Sequence, residues 1–264
     1  MKTLWVCSLI VAVWVTASAL HRAPAPARDS DIPVPVLVEL FTSEACSSCP
    51  PADRLLEKLD KEVVPGAQLI VLSEHVDYWN QAGWKDPYSA ASFSVRQSAY
   101  ARRFALDEVY TPQMVVDGSY QFVGSDSGRA AEVFKKALNA RKLPVRLSLS
   151  PADGADALHV HLETGILEPF YGAQNADVYL TVALSRANSE VSSGENAGHR
   201  LNHVSVARAL DKVAVLTEGN SLANDMQIKL EPGSDLHNLR VIAFVQEAGQ
   251  GRVLGAAMLP VTAP

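Results

Sequence analysis

Cysteine is scarce in this sequence: of three among 264 residues, Cys7 lies in the apolar N-terminal stretch, and only Cys46 and Cys49 remain beyond it. Neither of these has another cysteine to pair with. In an oxidising compartment they close only on each other, and so short a loop constrains the unfolded chain little, which disfavours a purely structural disulfide. The second ligand pair that a zinc site usually has is also missing, so no metal is expected. There is no Lys/Arg run and no basic helix with interleaved aromatics, and the formal net charge is −6. A surface that neutralises phosphates is therefore absent, and no nucleic-acid partner is expected. Beyond residue 35 there are no internal repeats and no low-complexity tract. No apolar run there approaches the roughly 20 residues that cross a bilayer, so no stable membrane span is expected once the leader is removed. Nothing in the residues asks for a cofactor, and none is expected.

The N-terminus does carry an address. Lys2 precedes the apolar run Leu4 to Val15 and the small residues Ala17-Ser18-Ala19. This is a signal-peptide pattern, so residues 1–19 are expected to be removed on export to the periplasm or the secreted space. Residues 20–35, rich in Ala and Pro and broken by Arg28, Asp29 and Asp31, cannot bury a core and read as a linker. The rest of the chain is long enough for two modest domains.

Val36 to Phe41 is a strand-length apolar run interrupted by Glu39, and it feeds T-S-E-A-C-S-S-C-P-P. From Pro50, Ala52, Leu55, Leu56 and Leu59 recur at helical spacing, with Asp53, Arg54, Glu57, Lys58 and Asp60 on the other face. The Cys46-x-x-Cys49 pair thus opens a helix, where unpaired N–H groups and the helix dipole favour a thiolate. A second strand, Gln68 to Ser73, ends in Glu74-His75-Val76-Asp77-Tyr78-Trp79. A helix follows over about 90–105 with Phe93, Gln97, Tyr100, Ala101 and Phe104 inward and Arg96, Arg102 and Arg103 mostly outside. Then come Tyr110-Thr111-Pro112-Gln113, a strand Met114 to Val116, the hairpin turn Asp117-Gly118, a strand Tyr120 to Val123 and a helix over about 126–141.

This order of elements resembles that of thioredoxin-like proteins, and the resemblance implies a cis proline facing the CxxC, matched here by Thr111-Pro112. More narrowly, V-E-L-F-T-S-E-A-C-S-S-C-P-P-A-D, H-V-D-Y-W, G-W-K-D-P, R-Q-S-A-Y and Y-T-P-Q-M-V-V-D-G together resemble the family known as domain of unknown function 1223. The implied fold class is an α/β thioredoxin-like N-terminal domain over 36–143. Ala45 and Ser47-Ser48 depart from the tryptophan and Gly-Pro of ordinary thioredoxins, so the redox potential does not carry over.

The expected function is a thiol-disulfide oxidoreductase that acts on thiol- or disulfide-containing exported proteins. Cys46 at the exposed helix edge is the expected attacking thiolate, and Cys49 the shielded resolving thiol. Glu39 is a candidate buried base for Cys49, against the alternative of a solvated strand carboxylate. His75 and Asp77 alternate on an extended segment and form a candidate pair near the thiols, or else cap a loop that holds Tyr78, Trp79 and Trp84. Trp79, Thr111 and Pro112 are expected to shape the substrate groove. The alternative function is a metal (copper) carrier or redox-sensing binding module that uses the same cysteines, with His75 as a third ligand.

From Pro144 onward the pattern alternates: Leu147-Leu149, Leu158-Val160-Leu162, Val178 to Leu184, Val204-Val206, Ile228-Leu230, Val241 to Val245 and Leu254 to Val261. This predicts an all-β, sandwich-like domain over 144–264. His159 and His161 sit opposite Leu158 and Val160, as a two-histidine metal clip or, more simply, as polar positions on a solvated sheet face. Gly194-Glu195-Asn196-Ala197-Gly198 reads only as a loop.

Overall fold

The chain enters its first strand at Val34, next to the expected end of the linker. The protein is described by a computed structural model over residues 33–152 and 156–261. The expected leader and most of the linker lie outside the described residues. β1 (Val34–Thr42) leads into the CxxC and α1 (Pro50–Lys61); β2 (Ala67–His75), α2 (Ala91–Arg103), β3 (Gln113–Val116), β4 (Tyr120–Val123) and α3 (Ser127–Ala137) follow. β1 pairs in parallel with β2 and antiparallel with β3. Asp117 and Gly118, at φ of 50° and 60°, form the tight β3–β4 turn, a conformation open to Gly and tolerated by Asp.

The remaining strands are β5 (Val145–Pro151), β6 (Ala157–Thr164), β7 (Asn175–Glu190), β8 (Arg200–Ala207), β9 (Asp211–Thr217), β10 (Ala223–Lys229), β11 (Leu239–Glu247) and β12 (Val253–Pro260). Eight strands run in the order β12-β11-β7-β8-β2-β1-β3-β4, with β9 added on β7, and β10-β6-β5 form a second sheet. Leu158, Val160 and Leu162 of that second sheet bury against Val178, Leu180 and Val241 of the large one.

The elements follow in the expected order, but the expected fold class does not hold. The protein is mostly β, with three α-helices among the described residues, and a mixed nine-stranded sheet runs through both halves of the chain. An α/β thioredoxin-like domain followed by an all-β sandwich is not what the residues build. The physical reason is a long-range pairing: β8 closes the edge of β2 at Ser73–Val206, and the two halves share a core. Phe41, Phe93 and Tyr100 pack in one cluster with Ile242 and Phe244 of β11. Local periodicity reports which residues are inward but not which distant strand covers them. No helix among the described residues is long and apolar enough to cross a membrane.

Candidate functional site

The CxxC turn sits where β1 hands over to α1. Pro50 and Pro51 occupy the first helical turn, where a missing N–H costs nothing. Cys46 and Cys49 are joined by a disulfide with their Cα atoms 5.4 Å apart. Ser47 and Ser48 are exposed, but both cysteines are fully buried. The expected exposed edge for Cys46 is therefore corrected: something covers it.

Part of the cover is Thr111, one of the residues expected to shape a groove. The Thr111–Pro112 bond is cis. The Thr111 hydroxyl donates to Cys46 Sγ at 3.3 Å, and Trp79 Nε1 donates to that same hydroxyl at 2.7 Å, which frees its proton for the sulfur. Ser48 Oγ lies 3.3 Å from Cys46 Sγ. In the reduced protein a hydroxyl donor such as Thr111 at this sulfur favours the thiolate.

The loop between β7 and β8, which the sequence marked only as a loop, is tied to the backbone of the CxxC turn. Asn196 Nδ2 donates to the carbonyls of Glu44 at 2.8 Å and Cys46 at 3.0 Å. The Ser47 N–H donates to Glu195 Oε2 at 3.1 Å, and the Ser193 hydroxyl donates to the Gly83 carbonyl at 2.6 Å. Gly194, at φ 78°, passes so close to Ala82 and Trp84 that a side chain would have to displace backbone.

Beneath the turn lies a buried polar cluster. His203 of β8 places Nε2 3.2 Å from Glu44 Oε1, and Nδ1 3.8 Å from Asp53 Oδ1. Trp84 Nε1 donates to the other Glu44 oxygen at 2.8 Å, and Thr42 Oγ1 donates to Asp53 at 3.0 Å. His75 Nδ1 lies 2.7 Å from Asp86 Oδ2, which also accepts the Glu44 N–H at 2.8 Å. The rings of His75 and His203 meet edge to face at 4.7 Å. Burial opposes charge on Asp86, but the adjacent His75 and the backbone N–H donors outweigh it and lower its pKa.

Several expected placements change. His75 pairs with Asp86 rather than Asp77, whose carboxylate instead accepts from Ser94 Oγ at 2.5 Å. Glu39 shares the sheet face of Leu37 and Phe41, whereas Val38 and Leu40 face α1. Its oxygens are held by Arg96 Nε at 2.6 Å and by the Tyr100 hydroxyl at 2.6 Å, so it faces away from Cys49 as one half of an ion pair. Arg96, expected outside, is buried by that pairing. Asp53, expected on the polar face of α1, is buried beneath His203.

The residues missed from the sequence are Glu44, Asp53, Asp86, Asn196 and His203. A signal existed for two of them. Asp53 stands one helical turn after Cys49, and His203 alternates with Leu201 and Ser205 on the buried face of its strand.

Among the described residues, no three or more His, Cys, Asp or Glu side chains are arranged to hold a metal ion. His161 instead bonds Asp225 at 2.7 Å and Glu163 at 3.2 Å, while His159 stands opposite Gln227 on the neighbouring strand.

Fold and site together define a mixed-sheet protein with a buried CxxC disulfide at a helix start. The chain belongs to the family described as "Protein of unknown function (DUF1223)", which matches residues 37–246. An X-ray crystal structure of a protein from Agrobacterium tumefaciens is similar at a TM-score of 0.68 and 24% identity, over 88% of this chain and 97% of that one. HBP35 of Porphyromonas gingivalis is similar at 0.63 and 15% identity, over 88% of this chain and 76% of its own. At these identities the likeness is one of fold. No curated protein matches the chain.

Proposed function

We propose that the protein is a thiol-disulfide oxidoreductase of the periplasm or secreted space, acting on exported proteins through Cys46 and Cys49. The observation that carries the reading is the Cys46–Cys49 disulfide at the start of α1, with the Thr111 hydroxyl on Cys46 Sγ. A helix start and hydroxyl donors both favour a thiolate at Cys46, the state needed for exchange. Export rests on the leader pattern of Lys2, Leu4 to Val15 and Ala17-Ser18-Ala19.

In the oxidising direction a substrate thiolate attacks Cys46 Sγ, the Cys46–Cys49 bond breaks, and Cys49 leaves as a thiolate that takes up a proton. A second substrate thiolate then attacks the substrate sulfur of the mixed disulfide, and Cys46 leaves as a thiolate. The substrate loses two electrons and gains a disulfide, while the protein gains the two electrons. The reducing direction runs the same steps backwards, and the balance is set by the two potentials.

The test is a trapping experiment with Cys49→Ser and Cys46→Ser. Serine keeps the size but cannot attack a disulfide, so Cys49→Ser accumulates mixed disulfides with exported proteins and Cys46→Ser accumulates almost none. Equal and negligible trapping by both would remove the function.

A further inference from the structure

The exchange steps leave unused the buried cluster whose carboxylates flank the two cysteines along the chain. Glu44 is two residues before Cys46. Asp53 is one helical turn beyond Cys49, and its N–H donates to the Cys49 carbonyl at 3.1 Å. Between the two carboxylates stands His203, on a strand some 150 residues downstream of the CxxC. All three side chains are buried. The Nδ1 atom of His203 is also buried and makes no hydrogen bond, facing Asp53 at 3.8 Å. A buried, unbonded polar atom is costly unless charge repays it.

We propose that His203, held between Glu44 and Asp53, sets the thiolate balance of the Cys46–Cys49 pair by supplying a positive charge beside the turn. It acts as a positioning residue, through the two carboxylates that flank the sulfurs, and does not touch the reacting atoms. The inference rests on the oxidoreductase reading for its consequence, but its readout is the acidity of the thiols themselves.

The electrostatics support a fixed charge. Burial opposes protonation of His203, but the nearby Asp53 carboxylate and the hydrogen-bonded Glu44 outweigh it and push the pKa up to about 10. The other ionisable groups packed on the ring are His75, paired with Asp86, and Tyr88, whose ring centroid is 6.0 Å away and which Arg208 overlies. In a buried site the charge is poorly screened, so a change of one unit charge is felt at the neighbouring sulfurs. With His203 neutral, the charges of Glu44 and Asp53, two and four residues from the cysteines, are left uncompensated and oppose an emerging thiolate.

The direction of the effect separates this role from simple packing. His203→Gln in the reduced full-length protein raises the Cys46 thiol pKa and lowers the thiolate fraction at neutral pH by about tenfold, one pKa unit. Adding Asp53→Asn removes one negative charge for the positive one lost, so the double variant recovers much of the thiolate. A packing role predicts the reverse, because the second substitution loosens the site further. Thiolate absorbance and iodoacetamide rates against pH read this out.

The wild-type protein gives a second measurement that needs no variant. By reciprocity, a thiolate at the turn raises the pKa of His203 in the reduced protein relative to the disulfide form, which imidazole NMR reads directly. An unchanged thiol pKa in His203→Gln, a double variant as impaired as the single one, or a His203 titration indifferent to redox state would each overturn the inference. These readouts use chemically reduced protein, so they stand whether or not the protein exchanges disulfides with substrates. Failure of the trapping experiment alone would remove the oxidoreductase reading and leave the coupling of His203 to the thiols intact.

Discussion

The side-chain amide of Asn196 donates to the carbonyl of Cys46 at 3.0 Å across 150 residues of sequence, and the same nitrogen reaches the Glu44 carbonyl at 2.8 Å. One residue of the β7–β8 loop therefore ties that loop to the turn that carries the disulfide. Both cysteines are fully buried, so a substrate sulfur reaches Cys46 only after part of its surroundings moves, and the loop tied to the turn is the expected part.

Asn196→Ala removes both bonds from a loop whose remaining ties are Glu195 to Ser47 and Ser193 to Gly83. At about 1 kcal/mol for each bond, opening becomes easier by roughly tenfold or more. The expected outcome is a comparable acceleration of disulfide reduction by dithiothreitol under conditions where the fold is intact. A rate equal to that of the wild type would show that the loop does not limit access.

Arg96→Met isolates the buried carboxylates of Glu39 and Glu74. Burial, followed by the neighbouring Glu39, pushes the Glu74 pKa well up, so Arg96 mainly neutralises Glu39. Leaving Glu39 unpaired costs about 3–5 kcal/mol, and replacing Glu39 by Met as well restores much of the loss. Guanidinium denaturation of the single and double variants checks both signs. A single-variant loss near the ~0–1 kcal/mol of a surface pair would contradict the buried network.

His203 also makes a prediction for stability against pH. Its pKa rises from 6.5 to about 10 on folding, so its contribution is complete below 6.5 and is lost as pH climbs through about 10. Thermal melts of the wild type and His203→Gln should differ most at the acid end of that window and converge towards its alkaline end. A gap that widens with rising pH would show that the histidine is not held protonated.

What was legible in the sequence was what neighbours along the chain decide. The CxxC at a helix start and the Asp117-Gly118 hairpin each follow from residues a few positions apart, whereas the approach of Thr111-Pro112 to Cys46, 65 residues away, was implied only by the family resemblance. α2 was placed within two residues of its ends, and it stops near Ala105, which takes a φ of 52° that a helix cannot continue. What was not legible depended on distant strands. Asp53 looked solvated because nothing in α1 shows that β8 lays His203 over it. For Glu39 burial and exposure were both open, and its partner was hidden, since Arg96 looked like one more outer-face arginine. The fold class failed for the same reason: the β2–β8 junction leaves no trace in local hydrophobic periodicity, so the two halves read as separate when one sheet joins them.

An oxidoreductase requires that Cys46 and Cys49 interconvert reversibly between dithiol and disulfide. Equilibrating the wild-type protein in a series of reduced and oxidised glutathione, then trapping and counting free thiols, measures this in one experiment. The account predicts a single two-electron transition between dithiol and disulfide at a defined potential, with no other residue oxidised. A disulfide that stays closed across the whole series and opens only when the protein is unfolded would contradict it.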